Sequence, residues 1–573
     1  MPKNGMFSVF LAMQGFVIVF LTFGVLGEQP KDIKSINLDG SPITPHATEA
    51  QQLTPLNFVS HQPENIKESM NLAGQNLLNS LNPDMGYLPY WALHVDKDYN
   101  FGFGGVGGSH NIGRVWDALL RLENNTEFKM SAEAETGLLA STKRFFDNND
   151  NICWAPLDWD GIYKQFELHS FREDLLALNA LAKYRNNEWA VEKGHKMLQT
   201  LLKVSREDCT WNLDGFDYYH QVGEKDRFMR FSDPIGSNGR MIEALVYFYQ
   251  TTKDPLAMEL ATRFAKWHLK NSVNADGTLN KAPGLDHTHS YLCTLRGLLL
   301  YGKLTNQKEY IDAVAATYKI TVRGKIIKES GWNSHDFMAD GAPEVASAAD
   351  SAQIALLLSE SGYPEFIDDV ARIVRCRILP SQITSSPPLK YAGDSNVHPE
   401  RLILGAYGGM QLEPHAGKQS TTDVTASVLN CLTDIYKRIA VWSETELRIN
   451  FHFDYDDEYV NIKTKRDHDA EVVINLKSVN EVFVRIPHWV PRQSLKVLVN
   501  GETVSPVMKE DFVYVPRTMM PLKVELQYDL PIRQTTEYTS GMEYKLLWRG
   551  DEIIGITPNS DFYPLYPTAK EMI

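Results

Sequence analysis

Four histidines stand at places where they could share one task. His110, His169, His287 and His289 each fall at the start of a segment with helical periodicity, beside Ser, Asn or Thr, and none is needed there as a helix cap. A further start, "GAPEVASAADSA" at 341–352, carries Glu344. Pro343 sits where a first helical turn tolerates proline, and small residues and an apolar run follow. A carboxylate at that point either offsets the helix dipole, an effect of about 0.3–1 kcal/mol, or faces a cleft and moves protons. Imidazoles and a carboxylate gathered in one cleft would bind hydroxyl groups and perform acid–base chemistry.

Gathering them needs a scaffold. From about 64 to 443 nearly every long segment has helical periodicity, as in "NIGRVWDALLRL", "REDLLALNALAKY", "GRMIEALVYFY" and "SYLCTLRGLLLYGKL". Second helices such as "EWAVEKGHKMLQTLL" and "PLAMELATRFAKWHL" follow them. Six helices begin after polar clusters: Ser109-His110-Asn111, His169-Ser170, Ser237-Asn238, His287 to Ser290, Pro343-Glu344 and Thr421-Thr422-Asp423. Ser170 and Glu173 have the spacing of a capping box. The clusters recur every ~50–80 residues, the length of a helical hairpin with its loops. Six hairpins close into an (α/α)6 toroid, a barrel of inner and outer helices with the polar starts at one rim. Beyond 444 the pattern becomes alternation with β-branched runs, "EVVINL", "EVFVRI", "LKVELQY", which predicts a β-sandwich over 444–573.

The 573 residues carry a net charge of −15 and no basic block, which excludes a nucleic-acid surface. Residues 6–26 are apolar and nearly uncharged, so 1–27 reads as a signal peptide, or as an anchor if uncleaved. The protein is then exported, periplasmic or extracellular, and touches a membrane only through that segment. Residues 28–63 are polar and aperiodic and read as a linker. The five cysteines include no CxxC or CxH pair, and Cys153 and Cys209 could form a disulfide.

"RIPHW" (485–489) followed by "VLVNG" (497–501), after a helical toroid, resembles the C-terminal module of the β-L-arabinofuranosidase-like glycoside hydrolases, family 127. "GAPEVASAADSAQIALLLSESGYPEFIDDVARIVRCRI" and "DVTASVLNCLTDIYKRIAVW" resemble that family's two site helices, and the likeness runs from about 109 to 555. It implies the toroid, and in the family a glutamate and three cysteines that ligate zinc, one cysteine being the nucleophile. Here Glu344 keeps the glutamate, but Ala346, Ala426 and Ser427 stand where the cysteines belong. Cys431 lies one turn past Ser427, ~6 Å along the axis. Neither a metal nor another cofactor is therefore expected. The resemblance also implies an acid/base group before Glu344, for which Glu329, His335, Asp336 and Asp340 are candidates.

The leading reading is a glycoside hydrolase acting on plant or algal sugars through a carboxylate pair, Glu344 with Asp336. Such a pair works ~5 Å apart with retention or roughly 6.5–9.5 Å apart with inversion. Trp332 and Tyr407 would stack on sugar faces, and His110, Arg114, His169, Arg172, His287, His289 and His415 would bind hydroxyls. Two alternatives are a carbohydrate-binding relative without catalysis and a polysaccharide lyase using His289, Tyr291 and Arg240.

Overall fold

The computed structural model describes residues 65–569 except 97, 105, 107, 163, 225–231, 281–286, 334–343, 387, 394–396, 408–418, 478–480, 517–521, 540 and 560–563. Among the described residues, twelve helices alternate between two layers. The outer layer holds α1 (Ile66–Asn79), and α2 (Ser109–Asn125) opens the inner one. There follow α3 (Ala132–Phe145), α4 (Phe171–Arg185), α5 (Glu188–Val204) and α6 (Arg240–Thr252). Then come α7 (Pro255–Asn271), α8 (Thr288–Thr305), α9 (Lys308–Thr317), α10 (Val345–Ser359), α11 (Ile367–Ile373) and α12 (Thr422–Tyr436). Each even-numbered helix packs on the next, and α12 packs back on α2, so the inner six form a closed ring.

The two layers differ as their sequences require. Helix α8 is buried without a break from Thr288 to Gly302, as a helix enclosed on all sides must be. Helix α5 buries one stripe, Ala190, Gly194, Met197, Leu198 and Leu201, and turns its charges outward. The hairpin between α4 and α5 is set by Asn186, left-handed at φ 50°, and by Asn187, whose side chain caps α5 at the Ala190 N–H. Inner helices approach closely where glycine allows. A Cβ on Gly113 of α2 would meet the Glu173 carbonyl oxygen of α4 at 2.1 Å.

The closure differs from a run of six inner-then-outer hairpins. Helix α12 has no outer helix after it and runs into strands from 440 onward; its outer partner is α1 at the other end of the chain. Ser69 of α1 bonds Gln382 Oε1 at 2.6 Å and the Tyr407 hydroxyl at 2.7 Å across this seam. Tyr407 is fully buried there. It offers no ring face to a sugar, contrary to the stacking role expected of it.

A small sheet beside the ring joins β1 (Ala92–Val95) to β2 (Phe101–Phe103) and to β3 (Gln419–Thr421). After α12 the chain is built of strands. These are β4 (Ala440–Trp442), β5 (Glu446–Ile449), β6 (Tyr455–Asp456), β7 (Val460–Arg466), β8 (Asp469–Leu476), β9 (Glu481–Arg485) and β10 (Lys496–Val499). They continue as β11 (Glu502–Val504), β12 (Val507–Lys509), β13 (Phe512–Val515), β14 (Leu522–Asp529), β15 (Ile532–Thr539), β16 (Met542–Arg549) and β17 (Glu552–Thr557). They form sheets in the orders β11-β10-β14-β8-β7-β6, β12-β13-β9-β5-β4 and β15-β16-β17. Alternate residues of β8 and β14 are buried, the signature of sheets with one face on a core. The third sheet covers Trp332, which is fully buried against Tyr544 and Tyr566 and donates to the Tyr566 hydroxyl at 3.0 Å. Trp332 therefore braces the strands on the helices and does not face a cleft.

All five cysteines are buried free thiols, so Cys153 and Cys209 are not joined. No described helix is long and apolar enough to cross a membrane; residues 6–26 lie outside the described residues.

Candidate functional site

The four histidines do meet. The rings of His110 and His169 stack at 5.3 Å, His169 and His287 lie 5.8 Å apart, and His287 and His289 5.9 Å apart. They come from the starts of α2, α4 and α8, and each is nearly buried. The ring closure is what converts distant sequence positions into one row.

Each ring is held by a different partner. His169 donates from Nδ1 to the Gly236 carbonyl at 2.8 Å and receives Arg240 at Nε2. Burial, then Arg240, His110 and His287, hold its pKa well below the ordinary range, so it is neutral. His287 shares a hydrogen bond with Ser290 Oγ through Nδ1 at 2.7 Å. His289 Nδ1 lies 2.5 Å from Asp350 Oδ2, and its Nε2 is 2.7 Å from Arg114 Nη2. Burial opposes the charged His289 ring, while Asp350 overrides it and draws the pKa up to about 9. Arg114 pulls the other way, because a guanidinium only donates and needs a lone pair on Nε2. We assign the neutral ring with its proton on Nδ1, which satisfies both contacts.

Glu344 stands at the N-cap of α10 rather than inside its first turn, and its side chain makes no capping hydrogen bond. It is 6 % exposed, Oε2 has no hydrogen-bond partner, and that oxygen lies 3.8 Å from His287 Nε2. At the His110 end of the histidine row, Asp423 Oδ2 of α12 lies 3.4 Å from His110 Nε2. Carboxylates from two adjacent inner helices thus flank the row. Further polar atoms without hydrogen-bond partners sit at inner-helix starts: Asn238 Nδ2, Thr288 Oγ1 and Ser347 Oγ. Buried polar groups are normally satisfied, so this concentration marks a place prepared for a polar ligand.

Beneath the row lies a buried ion network. Among the described residues, Glu173 Oε1 accepts from Arg114 at 3.1 Å, Arg172 at 2.6 Å and Arg240. Glu243 Oε2 takes Arg172 at 2.9 Å and Arg296 at 2.8 Å, and Arg296 reaches Asp350 Oδ1 at 2.5 Å. Burial pushes these carboxyls up, but the guanidinium groups overcome it. Glu173 and Asp350 are held well below their ordinary range and Glu243 is brought down to about 2. Arg114 and Arg172 are therefore engaged below the rim instead of reaching for hydroxyls. Glu173 does not form the expected capping box either. Ser170 Oγ turns to Glu167 Oε2 at 3.1 Å, because guanidinium partners outweigh one helix N–H for a buried carboxylate. Tyr291, the acid/base tyrosine of the lyase reading, is fully buried and donates to the Ser272 carbonyl, and Arg240 is bound to Glu173 and His169.

Among the other expected residues, Asp336, His335, Asp340 and His415 lie outside the described residues. Glu329 is exposed and pairs with Arg533 of β15 at 2.8 Å. The residues that sequence reasoning passed over are Glu243, Arg296, Asp350 and Cys293. Their signal was available, in charges placed inside helices otherwise apolar all round, as in "GRMIEAL" and "TLRGLLL".

Zinc does not fit the positions that the family resemblance implies. Ala346 and Ala426 are buried methyl groups on adjacent inner helices, and Ser427 offers one hydroxyl. Among the described residues one trio of donors converges, His289, Cys293 and Asp350, with ligand atoms within 4.8 Å of one another. Those donors are already taken: Arg296 holds Asp350 and lies 3.8 Å from Cys293 Sγ, and Arg114 holds His289. Protein purified without added metal is expected to contain well under one zinc per chain by elemental analysis. A stoichiometric zinc that survives dialysis would overturn this assignment.

No protein-family model matches the chain, and no curated protein sequence does. Solved structures do match it. One described as a glycoside hydrolase is 12% identical, with 86% of this chain and 83% of that one covered and a TM-score of 0.53. A family 127 β-arabinofuranosidase is 12% identical, covering 85% and 78%, with a TM-score of 0.52. A family 127 β-L-arabinofuranosidase from Geobacillus stearothermophilus T6 is 12% identical, covering 85% and 80%, with a TM-score of 0.49. The fold is that of the family 127 enzymes; at this identity the likeness is one of fold.

Proposed function

We propose that this chain is an exported glycoside hydrolase that acts on plant or algal sugars at the mouth of the toroid through carboxylates, without a zinc–cysteine site. The observation that carries the reading is Glu344. It is a nearly buried carboxylate at an inner-helix start, with one oxygen unpartnered and His287 3.8 Å away. A carboxylate desolvated in this way, without a structural bond to justify it, costs stability that a ligand-binding role explains. The histidine row supplies donors and acceptors for hydroxyl groups, and Glu344 supplies the proton transfer that glycosidic cleavage requires. The fold supports the same reading, since the solved proteins that share it are named as glycoside hydrolases.

Purified protein offered arabinose-, galactose- and uronate-containing oligosaccharides is expected to release reducing sugar from one class, with Asp336 or Asp423 as the second carboxylate. Binding without release would reduce the reading to a carbohydrate-binding protein. Neither binding nor release from any class would overturn it.

A further inference from the structure

We propose that Trp91 is the stacking platform of a sugar subsite on the α2–α12 side of the mouth, and that the subsite takes a neutral sugar rather than a uronate. The proposal rests on the carbohydrate reading above and adds a residue and a ligand class to it.

Trp91 is 37 % exposed, the most exposed tryptophan among the described residues, although indoles of this fold otherwise pack into its core. Its position is fixed by the inner ring. Asn111 of α2 donates to the Tyr90 carbonyl at 3.3 Å, the Thr422 hydroxyl of α12 donates to the same oxygen at 2.6 Å, and the Thr422 N–H donates to the Trp91 carbonyl at 3.2 Å. The backbone is thus pinned between the starts of two inner helices, and β1, which begins at the next residue, is paired on both sides by β2 and β3. The indole lies 5.7 Å from the His110 ring at 54°. His110 in turn meets Asp423 at 3.4 Å, and its Nδ1 makes no hydrogen bond. An exposed, rigidly held indole beside an imidazole and a carboxylate has the two parts that a sugar ring needs, an apolar face for its C–H groups and acceptors for its hydroxyls at the edge.

Charge selects the ligand class. Among the described residues the carboxylates that His110 faces are Asp423, Glu173 and Glu167, its other ionisable neighbour is the neutral His169 ring, and Arg114 and Arg240 are bound to Glu173 below. A uronate placed on Trp91 would bring its carboxylate towards Asp423, and among the described residues the arginines beside His110 are already engaged by Glu173.

The test measures dissociation constants of the full chain for arabino- and galacto-oligosaccharides and for oligogalacturonate, for wild type, Trp91→Ala and Trp91→Phe, with melting temperatures alongside. The expected result is binding of a neutral oligosaccharide that weakens about tenfold in Trp91→Ala. Trp91→Phe should stay within about threefold of wild type, and neither variant should melt differently, since the indole is not in the core. Equal affinity of wild type and Trp91→Ala would overturn the platform and leave the carbohydrate reading standing. Binding of oligogalacturonate alone would overturn the neutral ligand class. No binding by wild type would overturn the carbohydrate reading and this subsite with it.

Discussion

Glu344→Gln is expected to lower the turnover of any glycoside that the protein cleaves by about 10²-fold or more, with KM and melting temperature little changed. The substitution is isosteric and removes the charge and the ability to exchange a proton. The carboxylate makes no capping bond to α10, so stability has little to lose beyond a dipole effect of at most about 1 kcal/mol. The neighbour His287 is held from its other nitrogen by Ser290, so the ring stays in place when the charge goes. A protein that only binds sugar would behave differently: glutamine still bonds a hydroxyl, and affinity would fall by a small factor. Full turnover of the Gln variant on a verified substrate would remove Glu344 from the chemistry.

Glu173→Gln is expected to be strongly destabilising, at about 3–5 kcal/mol. It leaves Arg114 and Arg240 buried without a carboxylate, while Arg172 keeps Glu243. Against a total stability of about 5–15 kcal/mol this is a large share of the margin, and urea midpoints against wild type read the loss directly. The same network predicts how acid acts. Glu243, whose carboxyl is brought down to about 2, contributes stability that is present above its unfolded value of about 4.3 and is lost as pH falls towards 2. Glu173 and Asp350, also held low, act in the same direction. A shallower loss begins earlier. Burial lowers His268 and His452 to about 3, so below about 6.5 the unfolded chain takes up protons that the folded chain refuses. Asp174, which burial raises, works against both trends and blunts the slope. The urea midpoint should therefore sag below pH ~6.5 and fall steeply below ~4.3. A midpoint unchanged down to pH 3 would mean that the network is not ionised as described.

Most of the scaffold was legible because the inner helices are apolar all round and begin in polar clusters at a regular spacing. The row of histidines followed from that spacing alone. The ion network was not, because its partners come from α2, α4, α6, α8 and α10, and no local pattern says that Glu173 will meet Arg240 and not the N–H groups of its own helix. Local reading made a capping box of it instead. Trp332 and Tyr407 failed for another reason. Residue type tells that a ring has an apolar face, and nothing about whether a later sheet or the opposite end of the chain will cover it. Trp91 shows the reverse, a ring left uncovered beside the histidines.

The seam between α1 and α12 has a consequence for how the chain is made. Adjacent hairpins can stack as soon as each leaves the ribosome, since their contacts are local. The α1–α12 contact joins a helix that ends at Asn79 to one that starts only at Thr422. At about 5–20 residues per second of synthesis, the nascent protein spends roughly 20–70 s as an open arc. During that time the flank of α2 that α12 will cover stays bare, and Asn76 waits for the Leu402 and Leu404 carbonyls. That unfinished edge is where a chaperone would hold the chain, and where neighbouring copies synthesised close together would exchange their last helix.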